Sequence, residues 1–350
     1  MEKGFVIGLK NGQQSRSMAT IYEVAKEAGV SPKTAARILA GSSSRPKNKE
    51  LVMAAAKKLG YVRNQQAANL RSGKSGLIGL IIPSITSPFY PWFFQTIHDT
   101  ALAKGYQVLL SSVSGGHSEV VKALQMMEAN RVEGLLFNMS EWDDKESLEI
   151  LNRFVERKQP VIVGGTNLGK IQADEIVIKN IEAIEKATSY LIKTGHKKIA
   201  FISGPQAALG NRERLEGYRN AMDKAKLMVK DGWVCEGTGE FVEGLDLAKT
   251  LLRMSDRPTA IVCATDLIAI GAMKAAQEMG LSVPNDLAVT GFDDIPWAKL
   301  SAPSLTTLRQ PQNRIARETV NLLIERINSK DISNPRRLVF EPDLIIRESA

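Results

Sequence analysis

The amino-acid sequence predicts a small all-α module followed by a large α/β body with two doubly wound parallel sheets. The chain has 350 residues, more than one ordinary domain usually contains. Helical patterns fill residues 18–62, whereas strand-like apolar runs alternate with amphipathic helices from residue 76 onward. Residues 1–75 hold fourteen Lys and Arg and four acidic residues, and the rest of the chain holds 32 basic and 34 acidic residues. The excess of positive charge therefore lies in the small module, as in proteins that bind nucleic acid, although charge alone is also compatible with a solvated basic surface.

The first helix of the small module is predicted from about Ile21 to Ala28. Thr20 precedes it as an N-cap, and Glu23 follows three residues later, which is the pattern of a capping box. Gly29 then ends the helix, because glycine readily adopts the left-handed conformation found after helix C-termini.

Two further helices follow in the small module. Ser31 is an N-cap and Pro32 occupies the first position of the second helix, which extends to about Leu39. The third helix covers roughly Asn48 to Leu59, with Leu51 predicted on its inward face. Two helices joined by a tight glycine-containing turn form a helix-turn-helix unit.

The second helix of such a unit presents its N-terminal side chains to base edges in the major groove. Arg37 has the geometry for a bidentate contact with guanine, and Lys33 can contact a base or a phosphate. A helical hairpin used only for packing is the alternative. The DNA-contacting residues predicted in this module are Thr20, Tyr22, Ser31, Pro32, Lys33, Thr34 and Arg37.

Residues 63–75 connect the module to the body. Their sequence, RNQQAANLRSGKS, is polar and ends in serine, glycine and lysine, so that by itself it predicts a flexible linker.

The body contains eight predicted strands separated by helices. Alternation of strands and helices over this length predicts parallel sheets with helices on both faces. The strands are predicted at Leu77–Ile82, Gln107–Ser111, Gly134–Phe137, Pro160–Val163, Ile176–Ile178, Lys198–Ile202, Ala260–Cys263 and Leu287–Thr290. The helices are predicted at Trp92–Lys104, Ser118–Ala129, Asn180–Lys193, Arg212–Lys224, Gly244–Ser255, Asp266–Met279 and Gln312–Ser329.

Ligands of open α/β sheets bind beyond the carboxyl ends of the strands. Ser87, Phe89 and Tyr90 follow the first predicted strand, and Thr265 and Asp266 follow the seventh. These residues are therefore candidates for a small-molecule site.

Several segments resemble the lactose repressor/galactose repressor (LacI/GalR) family of bacterial transcription regulators. They are TIYEVAKEAGVSPKTAARILAG, LVMAAAKKLGYVRNQQAANLRSGKSGLIGLIIP, GPQAALGNRERLEGYRNAM, CATDLIAIGAM and GFDDIPWAKLSAPSLTTLRQP. The resemblance begins at Met18 and continues to the C-terminus, which leaves residues 1–17 as a flexible N-terminal extension. It implies a helix-turn-helix headpiece at 18–62 and a bilobed, periplasmic-binding-protein-like effector domain at 76–350.

The resemblance implies that residues 63–75 contain a hinge helix that orders on DNA. Leu70 matches the leucine that enters the minor groove and kinks the duplex, and Asn64, Ala67 and Arg71 would contact DNA beside it. A helix this short is unstable alone, so that a second copy must support it. We therefore expect a homodimer and a near-palindromic operator.

In the body, the resemblance implies two lobes: an N-subdomain of residues 76–178 and 310–339, and a C-subdomain of residues 179–309 and 340–350. Arg214 would be the effector-binding arginine and Asp293 the ligand carboxylate, with Phe241 and Trp297 beside the cleft. Together these groups suit a sugar, because charged planar groups pair with vicinal hydroxyls. Asp293 could instead form a turn, Arg212 could replace Arg214, and both aromatic residues could serve packing.

Lys179 departs from the family pattern, which has an acidic residue and asparagine at this point. If the Lys179 side chain reached the cleft, it would favour an acidic or phosphorylated sugar. The alternative is that Lys179 is a solvated surface residue.

Catalysis is not expected, because the three histidines are scattered and no nucleophile elbow, metal spacing or phosphate-binding loop is present. We expect no cofactor and no metal.

No apolar run approaches the length of a membrane span, and Cys235 and Cys263 are expected to be reduced, which together predict a cytoplasmic protein. The sequence thus predicts a DNA-binding transcription regulator, in the usual family mode a repressor, controlled by a small-molecule effector. The alternative is a soluble sugar-binding protein without a DNA role.

Overall fold

The computed structural model of the protein describes residues 19–39, 46–62, 74–114, 116–139, 144–164 and 171–350. The chain divides into two compact units, Met1–Lys74 and Ser75–Ala350. The predicted extension at 1–17 and the predicted hinge contacts Asn64, Ala67, Leu70 and Arg71 lie outside the described residues.

The first unit contains helices α1 (Ile21–Glu27), α2 (Pro32–Leu39) and α3 (Pro46–Leu59). The capping box predicted at α1 is confirmed: the Thr20 backbone N–H donates to Glu23 Oε2 at 2.6 Å, and the Glu23 N–H donates to Thr20 Oγ1 at 3.4 Å. Gly29 follows at φ +64°, so the helix ends as predicted.

Small apolar side chains form the core of this unit. Val24, Ala35 and Val52 each have no exposed surface and pack together from the three helices. The prediction for Leu51 is wrong, because its side chain is 46% exposed. The inward face of α3 contains Val52, Ala55, Ala56 and Leu59, and Leu51 lies about 100° away from Val52 around the helix.

Two six-stranded sheets form the second unit. Sheet A is parallel, in the order β11-β5-β4-β3-β1-β2, and contains β1 (Leu77–Ile82), β2 (Gln107–Ser112), β3 (Gly134–Phe137), β4 (Val161–Gly164), β5 (Asp174–Ile178) and β11 (Arg337–Phe340). Sheet B has the order β12-β10-β9-β8-β6-β7 and contains β6 (Ile199–Ser203), β7 (Val234–Glu236), β8 (Ala260–Cys263), β9 (Ala288–Asp293), β10 (Thr306–Arg309) and β12 (Asp343–Ile345). Only β12 runs antiparallel to its neighbour in these sheets.

Nine helices among the described residues accompany the two sheets. They are α4 (Phe89–Ala103), α5 (His117–Ala129), α6 (Lys145–Glu156), α7 (Asn180–Lys193), α8 (Leu209–Lys224), α9 (Phe241–Leu252), α10 (Asp266–Glu278), α11 (Pro296–Leu300) and α12 (Gln312–Ser329).

The sequence pattern located eight of the twelve strands among the described residues and missed four. β1, β3 and β8 have the predicted bounds, because each is an almost fully buried apolar run. The strands β7, β11 and β12 lie at sheet edges and are partly exposed, so no apolar run identifies them. The first three residues of β10 are buried, but two of these are threonines.

The chain passes between the two sheets three times. It leaves sheet A after β5 and enters α7, whose apolar side chains pack in the core of sheet B. It returns after β10 into α12, which packs against sheet A, and it finally crosses from β11 to β12. The segment between β10 and α12 therefore connects the two sheets directly.

Glycines allow two helices beside sheet B to approach closely. A Cβ added at Gly271 of α10 would lie 2.4 Å from the Phe241 carbonyl oxygen of α9, and one at Gly244 would lie 2.6 Å from the Ile268 carbonyl oxygen. Both contacts are with backbone atoms, so any larger residue must move a helix. Among the described residues, no helix is long and apolar enough to cross a membrane.

Candidate functional site

Helix α2 of the first unit has one buried and one exposed face. Ala35 and Ile38 are buried, whereas the predicted DNA contacts Pro32, Lys33 and Arg37 are exposed. No acidic residue occupies its first turn. The exposed face of α2 is therefore cationic and available to a partner, as a helix that enters the major groove must be.

The remaining predicted DNA contacts in this unit differ in their exposure and hydrogen bonding. Tyr22 of α1 is 65% exposed. The Ser31 hydroxyl accepts a hydrogen bond from the Thr34 N–H at 3.2 Å and lies 2.8 Å from Thr34 Oγ1. Because the Thr20 hydroxyl also caps a helix, Thr20 and Ser31 have structural roles that do not depend on DNA.

A cavity of about 550 Å³ lies at the carboxyl ends of the strands in the second unit, between sheets A and B. We call it the intersheet cavity. Sheet A contributes lining residues that follow β1, β2 and β3, including Ser84, Thr86, Ser87, Tyr90, Ser114, His117 and Met139. Sheet B contributes residues that follow β6, β7, β8 and β9, including Pro205, Asn211, Thr238, Glu240, Thr265, Leu267, Asp293 and Ile295.

Four of the nine predicted effector residues line this cavity: Ser87, Tyr90, Thr265 and Asp293. They come from positions far apart in the sequence, and each follows or ends a strand, so parallel-strand geometry brings them together. The other five predicted residues are Phe89, Arg214, Phe241, Asp266 and Trp297, and none of these belongs to the described lining.

Asp293 ends β9 in an unusual backbone conformation. Its φ is +111°, a region that L-residues rarely occupy and that costs free energy unless surrounding contacts impose it. Its Oδ1 accepts a hydrogen bond of 2.7 Å from Gln310 Nε2, and Gln310 lies between β10 and α12. Burial raises the pKa of Asp293 to about 6, although Arg214 and the Gln310 hydrogen bond favour the ionised form. Asp293 thus lines the cavity at a point where its backbone is strained.

Arg214 lies beside Asp293. Its guanidinium stacks on the Phe292 ring at 3.7 Å and donates to Asn180 Oδ1 at 3.1 Å and to the Ala264 carbonyl oxygen at 2.7 Å. Burial lowers the pKa of Arg214, and the negative charge of Asp293 opposes this shift. Arg214 is therefore placed to stabilise the ionised Asp293.

Asp266 is fully buried, and its carboxylate is already bonded within the protein. It accepts from the Ile295 N–H at 2.8 Å and from the Thr307 hydroxyl. Burial, together with Asp293, raises the pKa of Asp266 well above its usual range. These bonds tie α10 and β10 to the turn that contains Asp293, which is a structural role away from the cavity.

Three of the four predicted aromatic residues, all except Tyr90, lie outside the described lining. Phe89 packs against Tyr90 and Phe93, with ring centroids 5.2 and 5.8 Å apart. Trp297 of α11 is 52% exposed, and Phe241 is partly buried at the start of α9. The sequence indicated apolar rings near strand ends, but the direction of each ring depends on its helix.

Sequence reasoning missed several residues of the cavity wall, among them His117, Asn211 and Glu240, and it missed the buried Gln310 that holds Asp293. His117 follows the predicted strand β2 and could have been found by the strand-end rule that identified Ser87. Glu240 follows β7, which has no strong apolar pattern. Gln310 is recognisable only through its contact with Asp293.

Comparison with known proteins identifies both parts of the chain. Residues 20–64 match the family "Bacterial regulatory proteins, lacI family", and residues 188–350 match the "Periplasmic binding protein-like domain". The "HTH-type transcriptional repressor PurR" of Haemophilus influenzae (strain PittEE) is 35% identical over 335 residues, which cover 95% of this chain and 98% of that protein. Its counterpart from Vibrio campbellii is 32% identical, with the same coverage of both chains.

Solved structures agree with these relatives. The Lac repressor dimer bound to operator and the anti-inducer ONPF has a TM-score of 0.85 at 26% identity, and the similarity covers 95% of this chain and 99% of that chain. A complex of the transcriptional regulator CelR with cellobiose has a TM-score of 0.71 at 30% identity, covering 95% and 100%. These relatives are repressors and regulators rather than enzymes. The two-part fold, the exposed cationic face of α2 and the similarity over almost the whole chain show that the protein belongs to the LacI family and is a DNA-binding transcriptional repressor.

Proposed function

We propose that a small-molecule effector, a sugar or sugar derivative, binds in the intersheet cavity and changes the affinity of the repressor for its operator. One observation carries the proposal: Asp293, whose backbone is strained, lines the cavity, and its carboxylate accepts a hydrogen bond from Gln310, on a segment that connects the two sheets. A ligand that bonds to Asp293 therefore acts on a group that is hydrogen-bonded to the connection between the two sheets.

The chemistry of the lining favours a ligand with several hydroxyl groups. Ser84, Thr86, Ser87 and Thr238 offer hydroxyls, and Asp293 accepts from donors. Sugars are recognised by such mixed polar groups together with a nearby aromatic side chain, a position that Tyr90 fills. The structurally similar CelR was solved with cellobiose, which supports the same ligand class here.

The effect of the ligand on DNA binding would follow from thermodynamic linkage between the intersheet cavity and the DNA-binding surface. An effector that prefers one arrangement of the sheets shifts the population toward it, and the operator affinity changes by the same coupling free energy. Asp294, adjacent to Asp293, supports this coupling, because it pairs with Arg309 and with Arg347, both at 2.6 Å. Arg309 directly precedes the connecting residue Gln310.

At the DNA, α2 would read the major groove through Lys33, Thr34 and Arg37, with residues 18–62 acting as the headpiece. Leu70, in the linker at 63–75, would enter the minor groove beside its copy in a homodimer, and the operator would be near-palindromic. Leu70→Ser should weaken specific binding strongly and leave nonspecific binding nearly unchanged. Equal loss of both would refute the role given to Leu70.

The experiment begins with a thermal-shift screen of the full chain against cellobiose, other sugars, sugar acids, sugar phosphates and nucleosides, because a ligand of the native state raises the melting temperature. Operator DNA is selected from random duplexes, and its affinity is measured with and without the ligand. We expect Asp293→Ala to abolish the effector response and retain operator binding.

Asp246→Ala, which removes an exposed aspartate from α9, is the matched control and should behave as the parent protein. A normal effector response of Asp293→Ala would remove Asp293 from the site. Failure to enrich any DNA sequence would contradict the base contacts proposed for Lys33, Thr34 and Arg37.

A further inference from the structure

Carboxylates dominate the charged groups on the wall of the intersheet cavity. Asp293 and Glu240 both belong to the lining, and none of the lining residues that the structure describes is a lysine or an arginine. Glu240 is exposed and precedes α9, and its side chain makes no capping hydrogen bond to that helix. Its carboxylate is therefore available to a ligand, as is that of Asp293.

Further carboxylates lie in the loops on the sheet B side. Glu236 accepts a hydrogen bond of 2.8 Å from the Gln206 N–H, and Glu243 accepts one from the Thr238 N–H. Thr238 itself lines the cavity, and Gln206 follows the lining residue Pro205. These acids fix the loops and add to the negative potential of the same wall.

Arg214, Arg212 and Lys179 are each bonded to other groups of the protein. Arg214 is stacked on Phe292, donates to Asn180 and Ala264, and lies beside Asp293. Arg212 donates to the Gln206 and Ala207 carbonyl oxygens at 2.9 and 2.6 Å. Lys179, which the sequence left as a candidate for binding an acidic sugar, lies 3.6 Å from Glu341 and is absent from the described lining.

His117 is the one described lining residue on the sheet A side with a basic side chain. Its Nδ1 lies 3.4 Å from Asp144 Oδ2, and Asp144 caps α6 by accepting from the Ser147 N–H at 2.9 Å. A carboxylate therefore already faces the histidine, so the ring adds no unpaired cation to the cavity wall.

We infer that the effector is an uncharged or cationic molecule rich in hydrogen-bond donors, and that the cavity rejects phosphorylated and carboxylated forms of the same skeleton. The inference rests on the proposed function and specifies its ligand class. An anion entering this cavity loses its hydration and meets like charges, and none of the lining residues that the structure describes offers a lysine or arginine to pair with it. The cavity therefore repels the anionic form of a ligand. Hydroxyl or amine donors instead satisfy Asp293, Glu240 and the His117 ring.

The test compares neutral, amine and anionic forms of related ligands. The full-length protein is titrated calorimetrically at pH 7.5 with cellobiose and cellobionate, with glucose, glucosamine, gluconate and glucose 6-phosphate, with ribose and ribose 5-phosphate, and with adenosine and its 5′-monophosphate. For the skeleton that binds, we expect the neutral or amine form to bind at least about 100-fold more tightly than the anionic form. An anionic form that binds as tightly as its neutral partner, and loses this binding in Asp293→Ala, would overturn the inference and leave the proposed function intact. Binding by none of these compounds would overturn the proposed function and with it the inference.

A variant tests the cause of the discrimination. Glu240→Gln removes one lining charge at nearly constant shape and should reduce the preference for the neutral form about threefold to tenfold. Glu156→Gln, the same change at an exposed position at the end of α6, should leave the preference unchanged. An unaltered preference in Glu240→Gln would refute the electrostatic explanation.

Discussion

Replacing Arg326 by methionine should destabilise the body by about 3–5 kcal/mol. Arg326 lies in the last turn of α12 and is 4% exposed, and its partner Asp174 at the start of β5 is 5% exposed. The pair is bidentate, with Arg326 Nε and Nη2 donating to the two carboxylate oxygens at 3.0 and 2.8 Å. Arg326 also donates to three backbone carbonyl oxygens in the loop before β11, those of Asp331, Ser333 and Asn334.

The size of this destabilisation depends on which groups lose a hydrogen-bond or ion-pair partner when Arg326 is replaced. Methionine fills similar volume but leaves the buried Asp174 carboxylate without its cation and with one remaining backbone donor, the Arg336 N–H at 2.7 Å. An uncompensated buried charge costs about 3–5 kcal/mol. The three carbonyl groups add little, because Asp331, Ser333 and Asn334 are exposed and water can replace the guanidinium.

Thermal and urea unfolding of the full chain provide the measurement, and the melting temperature should fall by about 6–15 °C. Arg336→Met is the matched control, because Arg336 pairs with Glu325 at the surface and such pairs contribute little. Adding Asp174→Asn to Arg326→Met should recover part of the loss by removing the unpaired charge. A loss in Arg326→Met no larger than in Arg336→Met would refute the reasoning.

Three further predictions concern DNA, packing and pH. Arg37→Ala should cost about 1–3 kcal/mol at one base pair of each operator half-site, measured against single-base operator variants, and a uniform loss on all sequences would contradict base readout. Gly271→Ala should destabilise the body by about 1–3 kcal/mol in urea unfolding, because the new Cβ would meet the Phe241 carbonyl oxygen at 2.4 Å; unchanged stability would show that the two helices can separate freely. Effector affinity should fall as the pH is lowered from 7.5 to 5, because ligand donors bind the ionised Asp293, whose pKa is about 6, and protonation removes that acceptor. Asp293→Asn should abolish this pH dependence, and its persistence in the variant would assign it to another group.

The sequence carried enough information to place four residues of the candidate effector site. Ser87, Tyr90, Thr265 and Asp293 could be selected because strand ends are visible as the ends of buried apolar runs, and parallel strands share one ligand-binding edge. Asp266, one residue beyond Thr265, follows the same rule and yet points into the protein toward Thr307. A single step along a helix start rotates the side chain by about 100°, and no local pattern records that direction.

The sequence by itself determined the division into a basic helical module and an α/β body, the capping of α1, and the bounds of β1, because these depend on local propensity, charge and periodicity. Only the tertiary structure decided the character of the intersheet cavity. Gln310 reaches Asp293 at 2.7 Å from seventeen positions along the chain, and Arg214 is occupied by Asn180 from 34 positions away. Whether a charged side chain is free to meet a ligand depends on such distant partners, which the folded chain alone brings together.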